Sequence, residues 1–171
     1  MIEESPGPEP ANEITEIAVR STGGDWIVAW HPGSSIPEGT PHGATAICLT
    51  AGGGLVLISG DGERWGLPGG RPEGDESWEQ TLNREVLEEA CAIVIEARLL
   101  GFTQGRCLSG PEAGLVLVRS MWRAEVELMP WQPQFEILHR RVVAAAEWPA
   151  HLWIDEGFEP IFRRAFVEAG L

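Results

Sequence analysis

From Glu76 to Ala90 the chain runs without a glycine or a proline, between flanks where both abound. The run, ESWEQTLNREVLEEA, is rich in helix formers and predicts one well-marked helix, with Asp75 as its expected N-cap. On that helix Trp78, Leu82, Val86 and Ala90 recur at i+4 and form the apolar stripe that should face a core. Glu85, Glu88 and Glu89 stand at i, i+3 and i+4, within an arc roughly 100° wide. Glu89 projects between Trp78 and Leu82, so the acidic cluster overlaps the edge of the buried stripe. Glu79 encroaches too, but in the first turn, where a carboxylate favours the helix dipole. Three like charges this close repel and raise at least one pKa unless a cation neutralises them. On these residues alone two readings stay open: a solvated face, or a seat for a hard divalent cation with oxygen ligands.

The flanks read as β-structure. ITEIAVRSTGGDWIVAWHP gives two β-prone runs joined by Gly23 and Gly24, a predicted hairpin. GSSIPEGTPHG is a predicted loop. ATAICLT and LVLISG flank AGGG as a second hairpin, and RWGL leads into Gly69 and Gly70. After the helix, AIVIEARLLGFTQ and GLVLVRSMWRAEVEL are long strand candidates separated by the loop GRCLSGPEA. EILHRRVV predicts a strand, AAAEWPAHL a short helical piece, and PIFRRAFVEAG a C-terminal helix with Pro160 in its first turn and Gly170 as its stop. Strands around one marked helix, with another at the end, predict an α/β or α+β sandwich.

A chain of 171 residues suffices for one domain with a substantial core. Its formal net charge is −14, and all twelve of its basic side chains other than histidine are arginines. Such a balance argues against gripping nucleic acid by its phosphates, although metal ions could recruit a small phosphorylated molecule. No apolar run approaches the roughly 20 residues of a membrane span. MIEESPGPEPANE has neither a basic nor an apolar signal region, and residues 1–12 are expected to be a disordered tail. Cys48, Cys91 and Cys107 show no CxxC spacing. A cytoplasmic location, with no disulfide framework and no zinc site, is therefore expected.

Spacing separates the two readings of the acidic helix. Gly70 is followed by five residues and Glu76, then by seven residues and REVLEEACA. This resembles the Nudix box, a glycine, five residues, a glutamate, seven residues, then Arg-Glu-U-x-Glu-Glu-x-Gly-U, where U is bulky and apolar. Gly70, Glu76, Arg84, Glu85, Val86, Glu88 and Glu89 all fall in place. The resemblance spans residues 43–170 and is closest over 65–92. It implies a Nudix-type α/β/α sandwich with a mixed β-sheet over residues 43–171. Residues 13–42 form an N-terminal β-hairpin and loop extending it, either as a plain extension of the sheet or as the contact of a homodimer.

The implied activity is hydrolysis of a pyrophosphate bond in a nucleoside diphosphate linked to another moiety, X. By the same resemblance Glu85, Glu88 and Glu89, with Gly70, would bind Mg²⁺ or Mn²⁺, and Arg84 would orient a neighbouring carboxylate. A plainer role for Arg84 is an i,i+4 ion pair with Glu88. Glu76 either assists the site or caps the helix. Gly69 and Gly70 would let the backbone approach the metal or the substrate phosphates. Glu136 fits the place of an added ligand or general base, and His139 stands where some relatives carry a second glutamate. The implied partner is a small nucleotide, with neither nucleic acid nor membrane.

The pattern breaks at two positions: Cys91 stands where the box has glycine, and Ala92 where it has a larger apolar residue. Glycine after a helix adopts the left-handed conformation, which costs a β-carbon-bearing residue roughly 1 kcal/mol. The helix is therefore expected to end differently, a residue later. Cys91 also opens the alternative of a catalytically weak or inactive Nudix-fold nucleotide-binding module. Leu108 and Gly110 occupy the positions where subfamilies that act on ADP-ribose or diadenosine polyphosphates carry a proline or a tyrosine. Trp26, Trp30, Trp122 and Phe102 are candidates to stack on a base, each with an alternative place in the core.

Overall fold

The computed structural model describes residues 15–171; the expected tail over 1–12 lies outside them. Among the described residues eight strands form one mixed sheet. They are β1 (Thr15–Ser21), β2 (Gly24–Pro32), β3 (Thr40–Thr50), β4 (Gly54–Ser59), β5 (Gly69–Gly70), β6 (Ala92–Cys107), β7 (Val116–Leu128) and β8 (His139–Ala144). The order is β1-β2-β6-β7-β3-β4-β8, with β5 also on β3; β3 and β7 run parallel and the other pairs antiparallel. Helix α1 (Trp78–Ala90) covers one face, and α2 (Trp148–His151) with α3 (Glu159–Glu168) covers the other. No helix of the described residues is long and apolar enough to cross a membrane.

Period-two alternation explains the two layers. On β3, Ala44, Ala46 and Cys48 join Leu82, Val86 and Ala90 of α1, while Ile47 and Leu49 join Ile161, Ala165 and Phe166 of α3. On β4, Val56 and Ile58 face α1, and Leu55 and Leu57 the opposite layer. Small residues on β3 let α1 approach closely, and burying Leu82 and Val86 contributes about 1.5–3 kcal/mol each. Trp148 stacks on Phe166 at 4.0 Å to seat α2 on α3.

The β1–β2 hairpin forms as expected and extends the same sheet, because β2 pairs with Gly101–Cys107 of β6. Three local expectations are corrected. That pairing draws the GRC expected in a loop into β6, which runs to Cys107. β3 begins at Thr40, inside the expected loop, because Thr40 and Pro41 pair with Leu117 and Val118; a bulge at Pro41/Gly43 accommodates the proline. EILHRRVV forms a strand only from His139, since Gln134 to Ile137 make a tight turn.

Candidate functional site

The helix N-cap is Ser77 rather than Asp75. Ser77 Oγ accepts the Gln80 N–H at 3.2 Å, and Gln80 Oε1 accepts the Ser77 N–H at 2.8 Å, a reciprocal capping box. Ser77 wins because its partner three residues on can return the bond. Glu76, just outside the helix, is therefore free to bind elsewhere.

Arg84 uses that freedom. Its Nε and Nη2 donate to the two Glu76 oxygens at 2.8 and 3.0 Å, a bidentate pair. Nη1 donates to Glu85 at 3.0 Å and Glu88 at 3.3 Å, and Nη2 also to the Arg71 carbonyl at 2.8 Å. Glu76 further accepts from the Thr81 hydroxyl and the Glu73 N–H, both at 3.0 Å. These bonds, those from Arg84 first, hold the Glu76 carboxyl well below its usual range, at about 2. Glu76 thus anchors Arg84, and Arg84 in turn fixes two carboxylates of the cluster.

The glycine pair lies against the carboxylates of Glu85 and Glu89. A Cβ on Gly70 would overlap the Glu85 carboxylate, so any larger residue there would displace it. The Gly69 N–H donates to Glu89 at 2.9 Å. Burial, followed by the charges of Glu85 and Glu136, pushes Glu89 up to about 7 despite that bond. Burial likewise raises Glu85. Glu89 is thus an enclosed carboxylate without an ion-pair partner among the described residues.

Cys91 ends the helix at Ala90, not a residue later. It adopts φ 46° and ψ 54°, the left-handed turn expected of glycine. Its buried thiol donates to the Gln132 carbonyl at 3.2 Å, and its own carbonyl accepts the Met129 N–H at 2.8 Å. Arg140 lies over Trp131 and donates to the carbonyls of Ala90, Cys91 and Met129 at 2.8–3.1 Å. These contacts offset the strain and tie the helix end to the segment that leads to Glu136. Glu136 then lines a cavity of about 230 Å³ together with Arg84, Glu85, Glu88 and Glu89. His139 does not join them: its ring sits near Gly62 and 6.4 Å from Trp65. The structure therefore brings Glu85, Glu88, Glu89, Arg84 and Glu136 around one cavity, with Gly69 and Gly70 beside it. Among the described residues no acidic, histidine or cysteine side chains already close around a single ion, and Arg84 spans the gap between Glu85 and Glu88.

The NUDIX domain model matches residues 40–159. The chain belongs to the Nudix family. Comparison with curated proteins yields no match. Among solved structures, the pyrophosphohydrolase BsRppH of Bacillus subtilis is similar at 18% identity and TM-score 0.65, covering 85% of this chain and 90% of its own. The MutT protein of Methanosarcina mazei Go1 is similar at 17% identity and TM-score 0.57, covering 79% and 99%. A NUDIX hydrolase from Nitrosomonas europaea gives 19% and 0.57, covering 78% and 89%. At these identities the structural likeness shows the fold alone.

Beside the Nudix carboxylates lie two cavities that sequence reasoning missed. One, of about 350 Å³, is walled by Thr45, Gly69, Arg119, Leu67, Trp153, Phe158 and Phe162 among others. The other, of about 300 Å³, includes His42, Arg71, Arg119, Trp26 and Glu112. Of the stacking candidates, Trp30 and Phe102 are fully enclosed in the core, Trp122 packs on the α1 side, and Trp26 reaches a cavity wall. The exposed aromatic at the first cavity is Trp153. Arg119 had a legible signal: a charged residue within LVLVRSMW, in step with Leu117 and Met121 and hence pointing inward.

Proposed function

We propose that this chain is a metal-dependent Nudix pyrophosphohydrolase that cleaves a phosphoanhydride bond in a nucleoside diphosphate linked to another moiety. The observation that carries this reading is the enclosed Glu89, raised by burial and held against the Gly69 N–H beside Glu85. An all-oxygen donor set of Glu85, Glu88 and Glu89, with the Gly70 backbone and Glu136 alongside, fits Mg²⁺ or Mn²⁺. Such ions, when bound, neutralise phosphate charge and lower the pKa of a coordinated water.

The chain's own residues supply the rest. Arg84, braced by Glu76, keeps Glu85 and Glu88 oriented, and the bare Gly70 leaves room for the Glu85 carboxylate. Glu136 lines the cavity from the segment after β7, and its role in this reading is to accept a proton from the attacking water. As the water oxygen bonds to phosphorus, the bridging P–O bond breaks and its electron pair leaves with the departing phosphate. Cys91 keeps the turn a glycine would make, which favours turnover over the inactive binding module. The edge strand β1 leaves room for a homodimer in either case.

The test is product release from nucleoside triphosphates, nucleotide sugars, ADP-ribose and dinucleoside polyphosphates, with Mg²⁺, Mn²⁺ or excess chelator. Metal-dependent cleavage of at least one class is expected. Ligand-induced thermal shifts without any turnover would favour the binding module instead.

A further inference from the structure

Six arginines, Arg20, Arg64, Arg84, Arg106, Arg123 and Arg163, pair with carboxylates. Arg98, Arg140 and Arg141 donate to main-chain carbonyls instead, and Arg71 and Arg119 differ from both groups. Among the described residues neither has a carboxylate within ion-pair distance, in a chain of net charge −14. Both instead wall the 300 Å³ cavity together with His42. Arg119 Nη1 donates to the Thr45 hydroxyl at 2.9 Å, and its guanidinium fills the space where a Cβ on Gly43 would stand. The position is built, since a side chain on Gly43 would evict the arginine.

Holding a largely enclosed guanidinium beside a second cation is unfavourable unless an anion joins them. Burial first, then Arg71, lowers the Arg119 pKa, while Glu85 and Glu89 act against that. Burial and both arginines lower His42, so at neutral pH it offers hydrogen bonds rather than charge. Among the described residues Glu112 is the one acid in the wall, and its carboxylate accepts the Thr22 hydroxyl at 2.6 Å. A planar guanidinium pair suits phosphate oxygens better than any neutral group. Val28, Thr103, Arg119 and Phe158 line both cavities, so the cationic one opens onto the apolar one that holds Gly69 and Trp153.

We propose that the cavity walled by His42, Arg71 and Arg119 binds phosphate groups carried by X, so that the preferred substrate is a nucleoside triphosphate or longer polyphosphate. The apolar cavity, with Leu67, Trp153 and Phe162, is left for the base. This inference rests on the hydrolase reading above but fails separately from it.

Inorganic triphosphate, titrated calorimetrically into the metal-free protein in excess chelator, is the direct probe. Binding is expected, weakened at least about tenfold in Arg71→Gln and in Arg119→Gln, with Arg119→Lys retaining part of it. Should Arg119→Gln unfold, the exposed Arg71 still carries the test. No binding by the parent, or equal binding by a folded Arg71→Gln, overturns the proposal. With Mg²⁺, Arg71→Gln should raise KM for a nucleoside triphosphate by a larger factor than KM for a nucleotide sugar, and an equal rise for both would overturn the proposal. Turnover confined to nucleotide sugars or ADP-ribose would overturn the phosphate site and leave the hydrolase standing. Arginine-dependent triphosphate binding with no turnover of any substrate would do the reverse.

Discussion

A single hydrogen atom at Gly70 decides whether Glu85 can take its place. Gly70→Ala would drive a methyl group into that carboxylate, so kcat should fall at least ~100-fold, as displacements of about 1 Å at reacting centres do. The melting temperature should change little by comparison, and a Gly70→Ala protein as active as the parent would place the chemistry elsewhere. Glu89 has a measurable signature of its own. Its folded pKa, about 7, lies above the ordinary 4.5, so between these values the folded state holds a proton that the unfolded chain has released. In chelator, stability should therefore decline as pH rises through that window, and Glu89→Gln should flatten the decline. Identical melting profiles for parent and variant would show that the carboxylate is not enclosed as described.

At the scale of the element, α1 is held at both ends by bonds that a sequence shows unequally. The N-terminal box, Ser-x-x-Gln, is visible in SWEQ, and Asp75 competed only because a lone acid is also a good cap. Ser77→Ala should cost about 1 kcal/mol in denaturant unfolding. The C-terminal closure was not legible, because Arg140 arrives from β8 to reach carbonyls 49 and 50 residues earlier in the chain. Arg140→Ala should cost about 2 kcal/mol, the scale of hydrogen bonds to a charged group. It should also lower kcat by loosening the segment that carries Glu136; loss of stability with kcat intact would separate that segment from the chemistry. The same contacts explain why Cys91 tolerates a glycine's conformation, which the local sequence argued against.

Over the whole molecule, the order of the elements pointed to a sandwich and the helical period to the buried stripe of α1. Ala44, Ala46 and Cys48 on one face of β3 and Ile47 and Leu49 on the other are all apolar, however, so which residue serves which layer was not legible. The acidic cavity was legible for a different reason: Glu85, Glu88 and Glu89 share one helix, so their convergence is local. The cationic cavity was not, because His42, Arg71 and Arg119 come from three separate stretches joined only by sheet pairing. The charge distribution sets the acidic face against the unpaired arginines, with the glycine pair close to both. The most direct measurement is titration of free Mn²⁺ by electron paramagnetic resonance, comparing the parent with Glu89→Gln. The parent should bind Mn²⁺ at the acidic face, and the variant should bind at least about tenfold more weakly while remaining folded. Equal Mn²⁺ affinity in the two proteins would contradict the assignment of these carboxylates as the seat of the metal.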